Sequence, residues 1–247
     1  MTTVTETVVP ESTTHSAVPS ATCGEVGPFE INVGSFRLAL PSLTNVQFDN
    51  LPAYSTDNND TADFPPIFNP FDHLFWGDGW TYVPPPIEPF PPQSGSQLAE
   101  FIPSPASNDT GSPDAGLIPS SSFGAGPRNY DSQYWFNATS VYVGCDNGAT
   151  DPDIMCDFVA TGYQWDPETR EERVVVTQHF PQPPCPNFKN CTLRQIFFND
   201  EFTALTTLSF YANVRGMIKI FFMDTIELGW YNNTCAAGLA RSSSRKT

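Results

Sequence analysis

Hydrophobic and polar positions along this chain change register several times, and nearly every period is that of a strand. Phe158–Trp165 and Arg173–Phe180 alternate between apolar and polar positions. They flank Asp166-Pro167-Glu168-Thr169-Arg170, and the spacing predicts a hairpin. Ser35–Leu40 alternates in the same way, and Val46–Leu51 is a shorter candidate. Tyr134–Gly144 reads as one long strand. Thr192–Phe198, Leu205–Asn213 and Met217–Asp224 supply three more, with Arg215-Gly216 as a turn. The segment from Ile218 to Trp230 is apolar on both faces, the pattern of a strand buried in a sandwich core, and Asp224 falls where that strand reaches the rim. Roughly eight to ten strands and essentially no helix predict an all-β protein, a jelly-roll-like antiparallel β-sandwich with long Pro-rich loops.

Phe48-Asp49-Asn50-Leu51 repeats the form of the last strand, an aromatic followed by Asp at the end of an apolar stretch. The two segments are expected to lie side by side, with Phe48 and Phe222 in one core. Thr2–Thr22 has no periodicity and reads as a disordered Ser/Thr-rich stalk. One β-sandwich domain is expected over 23–239, followed by a disordered basic tail over 240–247. Within the domain, 84–128 is dominated by Pro, Ser and Gly. It is expected to be an excursion lying over the sandwich, because the segment before it is too short to enclose an aromatic-lined core alone.

Composition sharpens this picture. A net charge of −16 and a pI near 4.3 exclude nucleic acid and anionic membrane surfaces as partners, since both require clustered Lys and Arg. No apolar run is long enough to span a bilayer; Met217–Met223 is short and contains Lys219. Six cysteines without a CxxC pair, beside only three histidines, point away from zinc and towards disulfides. Proximity suggests Cys145 with Cys156, Cys185 with Cys191, and Cys23 with Cys235. Asn59, Asn108, Asn137, Asn190 and Asn232 each open an Asn-X-Ser/Thr sequon. Disulfides and sequons indicate secretion. No apolar signal segment follows Met1, so a piece of a longer secreted protein is expected. The oligomeric state is not readable.

The densest aromatic segment runs from Phe68 to Val83. Gly77-Asp78-Gly79 marks a tight turn between short aromatic strands. Phe75, Trp76 and Trp80 read as core. Were the rings exposed, they would form a platform on which the C–H faces of pyranoses could stack. The candidate ligand residues are His73, Trp76, Asp78, Trp80 and Tyr82. Catalytic signals are weak. No Gly-X-Ser-X-Gly elbow occurs. His179 falls within an apolar strand and reads as a core residue. Asp146, Asp151, Asp153, Asp157, Glu171 and Glu172 read as a solvated acidic face and not as a glycosidase pair.

Several separated blocks resemble one family. They are Phe48-Asp49-Asn50-Leu51-Pro52, Pro66-Ile67-Phe68-Asn69-Pro70, Gly124-Ala125-Gly126-Pro127-Arg128, Tyr134-Trp135-Phe136-Asn137-Ala138, Gly144-Cys145-Asp146-Asn147, Thr161-Gly162-Tyr163, Phe222-Met223-Asp224 and Asn232-Asn233-Thr234-Cys235-Ala236-Ala237-Gly238. Together they look like the signature of a fungal secreted-protein domain of unknown function that follows Ser/Thr-rich regions, and they span roughly Cys23–Arg241. The resemblance implies secretion and a β-sandwich. More distantly, the two end segments are similar to those of galactose-binding-like jelly rolls, many of which hold a structural Ca²⁺ between carboxylates and backbone carbonyls near the termini. That likeness implies a Ca²⁺ site at Asp49, Asn50 and Asp224. Related sequences often carry Asp where this chain has Asn50 and Thr225, a departure that removes charge. The functional expectation is a non-catalytic extracellular domain that binds polysaccharide of a cell wall or matrix. The alternatives are a structural or adhesive wall domain and, behind it, a glycoside hydrolase.

Overall fold

The computed structural model describes residues 43–52, 64–83, 89–104, 116–117 and 121–243. The stalk, Ser35–Leu40, Cys23, Asn59 and Asn108 lie outside the described residues. The strands are β1 (Leu43–Val46), β2 (Phe75–Trp76), β3 (Trp80–Val83), β4 (Leu98–Phe101), β5 (Pro103–Ser104), β6 (Gly116–Leu117), β7 (Ser122–Gly124), β8 (Phe136–Cys145), β9 (Cys156–Asp166), β10 (Glu171–Gln182), β11 (Arg194–Phe197), β12 (Thr207–Val214), β13 (Met217–Ile218) and β14 (Phe221–Trp230). One helix, α1 (Cys235–Ser243), follows.

Two antiparallel sheets face each other. The first has the order β11-β8-β14-β4-β3, with β1 also paired to β14; the second has β10-β9-β12-β7-β2, with β13 also paired to β12. The chain crosses between them repeatedly, as a jelly-roll-like sandwich requires. The long strands are the alternating runs of the sequence, because a period of two buries one face of each strand. Cys156, Phe158 and Ala160 of β9 and Leu208, Phe210, Ala212 and Val214 of β12 point into the core between the sheets. The sandwich is filled mainly by rings, among them Phe123, Phe136, Phe158, Phe210 and Phe221. Fully burying one such side chain is worth about 1.5–3 kcal/mol. Cys145–Cys156 and Cys185–Cys191 are disulfides, as expected.

The expected neighbourhood of the two end segments is present. β1 pairs antiparallel with β14, Leu43 opposite Gly229 and Val46 opposite Ile226. The core assignment differs in one respect. Phe48 lies in the core between the sheets, whereas Phe222 lies in a second cluster with Phe64, Val83, Phe90, Leu98, Cys185, Cys191 and Leu193. Alternate residues of a strand leave opposite faces, so Phe221 and Met223 point inward and Phe222 outward. The outer face of the first sheet is therefore covered as well, which is why β14 reads as apolar on both sides.

Three further expectations change. Val46–Leu51 is not one strand: β1 ends at Val46 and Phe48–Asn50 form a 3-10 turn. Residues 84–128 do not merely lie over the sandwich, since β4 and β7 are built into its two sheets. The tail reads as disordered because it is basic and Ser-rich, yet its beginning belongs to α1. Arg241 is buried there, its guanidinium 4.6 Å from the Trp230 ring centre, and it donates to the carbonyls of Gln133 (2.6 Å) and Asn232 (3.1 Å).

Candidate functional site

Trp76 and Trp80 are core residues, as they read in the sequence, and so is Tyr82; each is less than 5 % exposed, so these candidate ligand residues form no stacking platform. The cause is the turn between them. β2 pairs with β7 in the second sheet and β3 with β4 in the first, so the chain crosses the sandwich at Gly77-Asp78-Gly79 and leaves its rings between the layers. Trp76 packs 4.8 Å from Phe123 and 5.2 Å from Trp80, and the Tyr82 hydroxyl donates to the Pro52 carbonyl at 2.8 Å. Asp78 is exposed at the turn. His73 is half-buried in a left-handed conformation (φ 67°), its ring 6.0 Å from Trp230, and its carbonyl accepts from Arg128. These five residues do not form one surface.

Asp49 and Asp224 are brought together, through a loop. β8 lines one edge of β14 throughout. On the other edge β4 pairs with Phe221–Met223 and β1 with Ile226–Gly229. Asp224 and Thr225 stand at the gap, where a bulge places Thr225 at φ 48°. A bulge re-aims the side chains beside it. The segment Gln93-Ser94-Gly95-Ser96-Gln97 fills the gap. Asp224 Oδ2 accepts from Ser94 N at 2.8 Å and Oδ1 from Thr225 N at 2.6 Å, with Ser94 Oγ 3.3 and 3.4 Å from the two oxygens. Asp49 Oδ1 accepts from Ser96 N (2.6 Å) and Gln97 N (3.2 Å). Burial raises the Asp224 carboxyl above its ordinary range; hydrogen bonds from Ser94, Thr225 and Gln93 act against this, and the Asp49 charge adds to it. Backbone N–H groups converge on both carboxylates, whereas a calcium ion takes oxygen ligands. The N–H groups around Asp224 are donors to its carboxylate and offer no oxygen ligand to a cation. Asn50 is exposed.

His179 is not a core residue. It is exposed, with Nδ1 3.1 Å from both carboxylate oxygens of Asp157. Both belong to the outer face of the second sheet, which the sequence reading passed over. On β9 that face carries Asp157, Val159, Thr161, Tyr163 and Trp165, and on β12 Thr207, Ser209, Tyr211 and Asn213. In register, Thr207 lies opposite Tyr163, Ser209 opposite Thr161 and Tyr211 opposite Val159. β10 adds Glu172, Val174, Thr177 and His179, opposite Trp165, Tyr163, Thr161 and Val159. Tyr163, Trp165 and Tyr211 are half-buried. Among the described residues their rings stack on no other ring, and their polar tips have no hydrogen-bond partner. Short polar groups are already tied together around them. Thr161 and Thr177 share a hydrogen bond of 3.3 Å, and Thr207 donates to Glu172 at 2.8 Å.

The signal for this face was present. Val159, Thr161, Tyr163 and Trp165 occupy the odd positions of a run whose even positions Phe158, Ala160 and Gly162 are buried. Which side of the sheet stays open could not be read locally, because the cover on the first sheet comes from distant segments.

Elsewhere among the described residues, an open cleft beside the Cys185–Cys191 loop is lined by Phe90, Gln182, Lys189, Asn190 and Arg194 among others. A shallow depression lies at Val46, Asp72, Leu74, Phe136, Leu228 and Trp230. Among the described sequons, Asn190 is exposed. Asn137 Oδ1 accepts from Thr203 Oγ1 and Ala204 N, and Asn232 Oδ1 from Thr234 Oγ1 and N.

The model of a family described as a domain of unknown function, DUF7371, matches residues 42–241. The chain belongs to the DUF7371 family. Its match ends at Arg241, the buried anchor of α1, so the helix lies largely within the DUF7371 domain. No curated protein matches the chain. Among solved structures, a DUF4465 family protein from Bacteroides caccae is similar at 12% identity and a TM-score of 0.38, over 61% of this chain and 73% of that one. The endo-1,4-beta-D-xylanase 10B of Clostridium thermocellum, CBM22-1 and GH10 modules complexed with xylohexaose, is similar at 16% identity and a TM-score of 0.33. That likeness covers 65% of this DUF7371 chain and 28% of the other. Neither score is high enough to place the DUF7371 chain in that protein's fold family.

Proposed function

We propose that this DUF7371 chain is a non-catalytic, extracellular glycan-binding domain, and that it binds through the outer face of the second sheet. One observation carries the reading. Tyr163, Trp165 and Tyr211 stand half-exposed on an open sheet face, with no ring stacked on them and their polar tips unused among the described residues. A buried Tyr or Trp normally finds a partner for its polar tip, and such residues are favoured where one end is apolar and the other wet. A pyranose offers the complementary surface, a flat C–H face with a hydroxyl rim. The Thr161 hydroxyl, the Asn213 amide and the Asp157 carboxylate are at hand for that rim.

Hydrolysis at this face is disfavoured by distance. Glu172 lies opposite Trp165 in register, and Trp165 is eight residues along β9 from Asp157. By strand rise that is about 27 Å. A glycosidase pair stands about 5–10 Å apart. Secretion is supported by the two disulfides, and among the described residues no helix is long and apolar enough to cross a membrane.

Pull-down on insoluble chitin, β-glucan, xylan and mannan, followed by a glycan array, tests the proposal. Retention on at least one polysaccharide is expected, with retention lost in Tyr163→Ala/Trp165→Ala. Failure to bind any glycan would leave the structural or adhesive reading. Turnover of a polysaccharide would replace both.

A further inference from the structure

Resting on that reading, we infer that the ligand is an extended, uncharged polysaccharide chain lying along β9, and not a terminal sugar or an acidic glycan. The first argument is the line the rings make. Trp165 and Tyr163 are two residues apart on one face of β9, about 7 Å by strand rise. Tyr211 lies on the neighbouring strand β12 opposite Val159. That is four residues beyond Tyr163, about 13 Å along the strand direction and one inter-strand spacing of about 4.8 Å aside. The three rings thus mark a path of about 20 Å along β9, six residues at the strand rise. A single sugar reaches one of them, or the neighbouring Trp165–Tyr163 pair; only a chain of several sugars reaches both ends. Between the ends the path is floored by Thr161, Val159 and Ser209, side chains short enough for a chain to pass over them.

The second argument is charge. Besides the phenols of Tyr163 and Tyr211, the ionisable groups on the outward rows are Asp157, Glu172 and His179, and His179 is held against Asp157. No Lys or Arg side chain belongs to the outward rows of β9, β10 and β12. At the margin, Arg128 lies 5.0 Å from the centre of the Phe75 ring and 3.8 Å from that of Tyr134, and it donates to the His73 carbonyl. Recognition of carboxylate or phosphate groups uses the Arg guanidinium fork or the Lys ammonium point charge. A surface with two carboxylates, in a chain of net charge −16, repels polyanions.

The test is isothermal titration of the whole chain with neutral oligosaccharide series (cello-, laminari-, xylo- and chito-oligosaccharides) from disaccharide to hexasaccharide, with polygalacturonate as the acidic probe. In the series that binds, affinity is expected to rise roughly tenfold or more from disaccharide to hexasaccharide, a gain of about 1.4 kcal/mol. Polygalacturonate is expected not to bind. Tyr211→Ala should remove the gain from length, because the path then loses the ring at its far end; this rests on the spacing of the rings. The length series on the unaltered chain needs no variant to fold. A disaccharide that binds as tightly as the hexasaccharide, or tighter binding of polygalacturonate, would overturn the extended neutral ligand while glycan binding survived. Absence of binding to every glycan would overturn the proposed function itself.

Discussion

Asp224→Ala removes the group around which the β1–β14–β4 junction is built. Asp224 accepts from Ser94 N and Thr225 N at 2.8 and 2.6 Å, and Ser94 Oγ is within 3.4 Å. Gln93 also donates to it. Alanine leaves several backbone donors without an acceptor at a position that is fully buried. Each such donor costs about 1–3 kcal/mol, reduced where the loop relaxes and water enters. A net loss of about 3–5 kcal/mol is expected. For a domain of this size that is a drop in Tm of about 6–20 °C. Asp224→Asn keeps one acceptor and offers a donor to Ser94 Oγ, so its loss should be smaller. Calorimetric unfolding measures both, and hydrogen exchange at 93–97 locates the effect. The pH dependence follows from the raised carboxyl. The native state holds this proton to higher pH than the unfolded chain. Its contribution to stability is therefore largest below the ordinary carboxylate range and falls as pH rises through the raised value. The alanine variant lacks that slope, so its deficit should be greatest in acid and narrow as pH rises. An alanine variant within about 1 kcal/mol of wild type, a loss too small for several orphaned donors, would refute the reasoning. So would a deficit that widens with pH.

Gly95→Ala adds a Cβ against the Asp49 carboxylate in a left-handed backbone (φ 54°), and a loss of about 2–4 kcal/mol is expected. Chemical denaturation of Gly95→Ala with Asp49→Ala should show a double variant less destabilised than the sum of the two single variants, because the steric part disappears with the carboxylate. Arg241→Ala removes two hydrogen bonds and the contact with Trp230. It should release α1 at a cost of about 2–4 kcal/mol, seen as faster hydrogen exchange over 235–243 with the β-sheet amides protected. Because N–H groups already serve Asp49 and Asp224, melting in EDTA and in excess Ca²⁺ should coincide. A Tm that climbs with Ca²⁺ would restore a metal role for these carboxylates.

Much of the fold was legible because its information is local. The alternation in Phe158–Trp165 and Leu205–Asn213 is the inside and outside of β9 and β12. The short spacings of Cys145 to Cys156 and Cys185 to Cys191 found their own partners. The apolar character of Phe221–Met223 on both faces announced a strand covered on both sides. What escaped was long-range. Trp76 and Trp80 read as core, but the reason did not: the Gly77-Asp78-Gly79 turn crosses from one sheet to the other and encloses them. His179 looks apolar by its neighbours in sequence, yet its position in the strand turns it outward to Asp157. The basic tail reads as solvated until Trp230 and the Gln133 carbonyl offer Arg241 a place.

The sequence by itself determined that the long alternating segments are strands and which of their side chains share a face, since a period of two is set by backbone geometry alone. It also made neighbours of the segments that carry Asp49 and Asp224, but Asp224 lies inside β14 and not at a strand end, and Met217–Asp224 is divided between β13 and β14. Tertiary structure decided which face meets solvent. Phe64, Phe90 and the Cys185–Cys191 loop cover the first sheet, while no such layer among the described residues covers the second. Burial is a property of what packs against a strand, and for β9 and β12 the segments that decide it are far away in the chain.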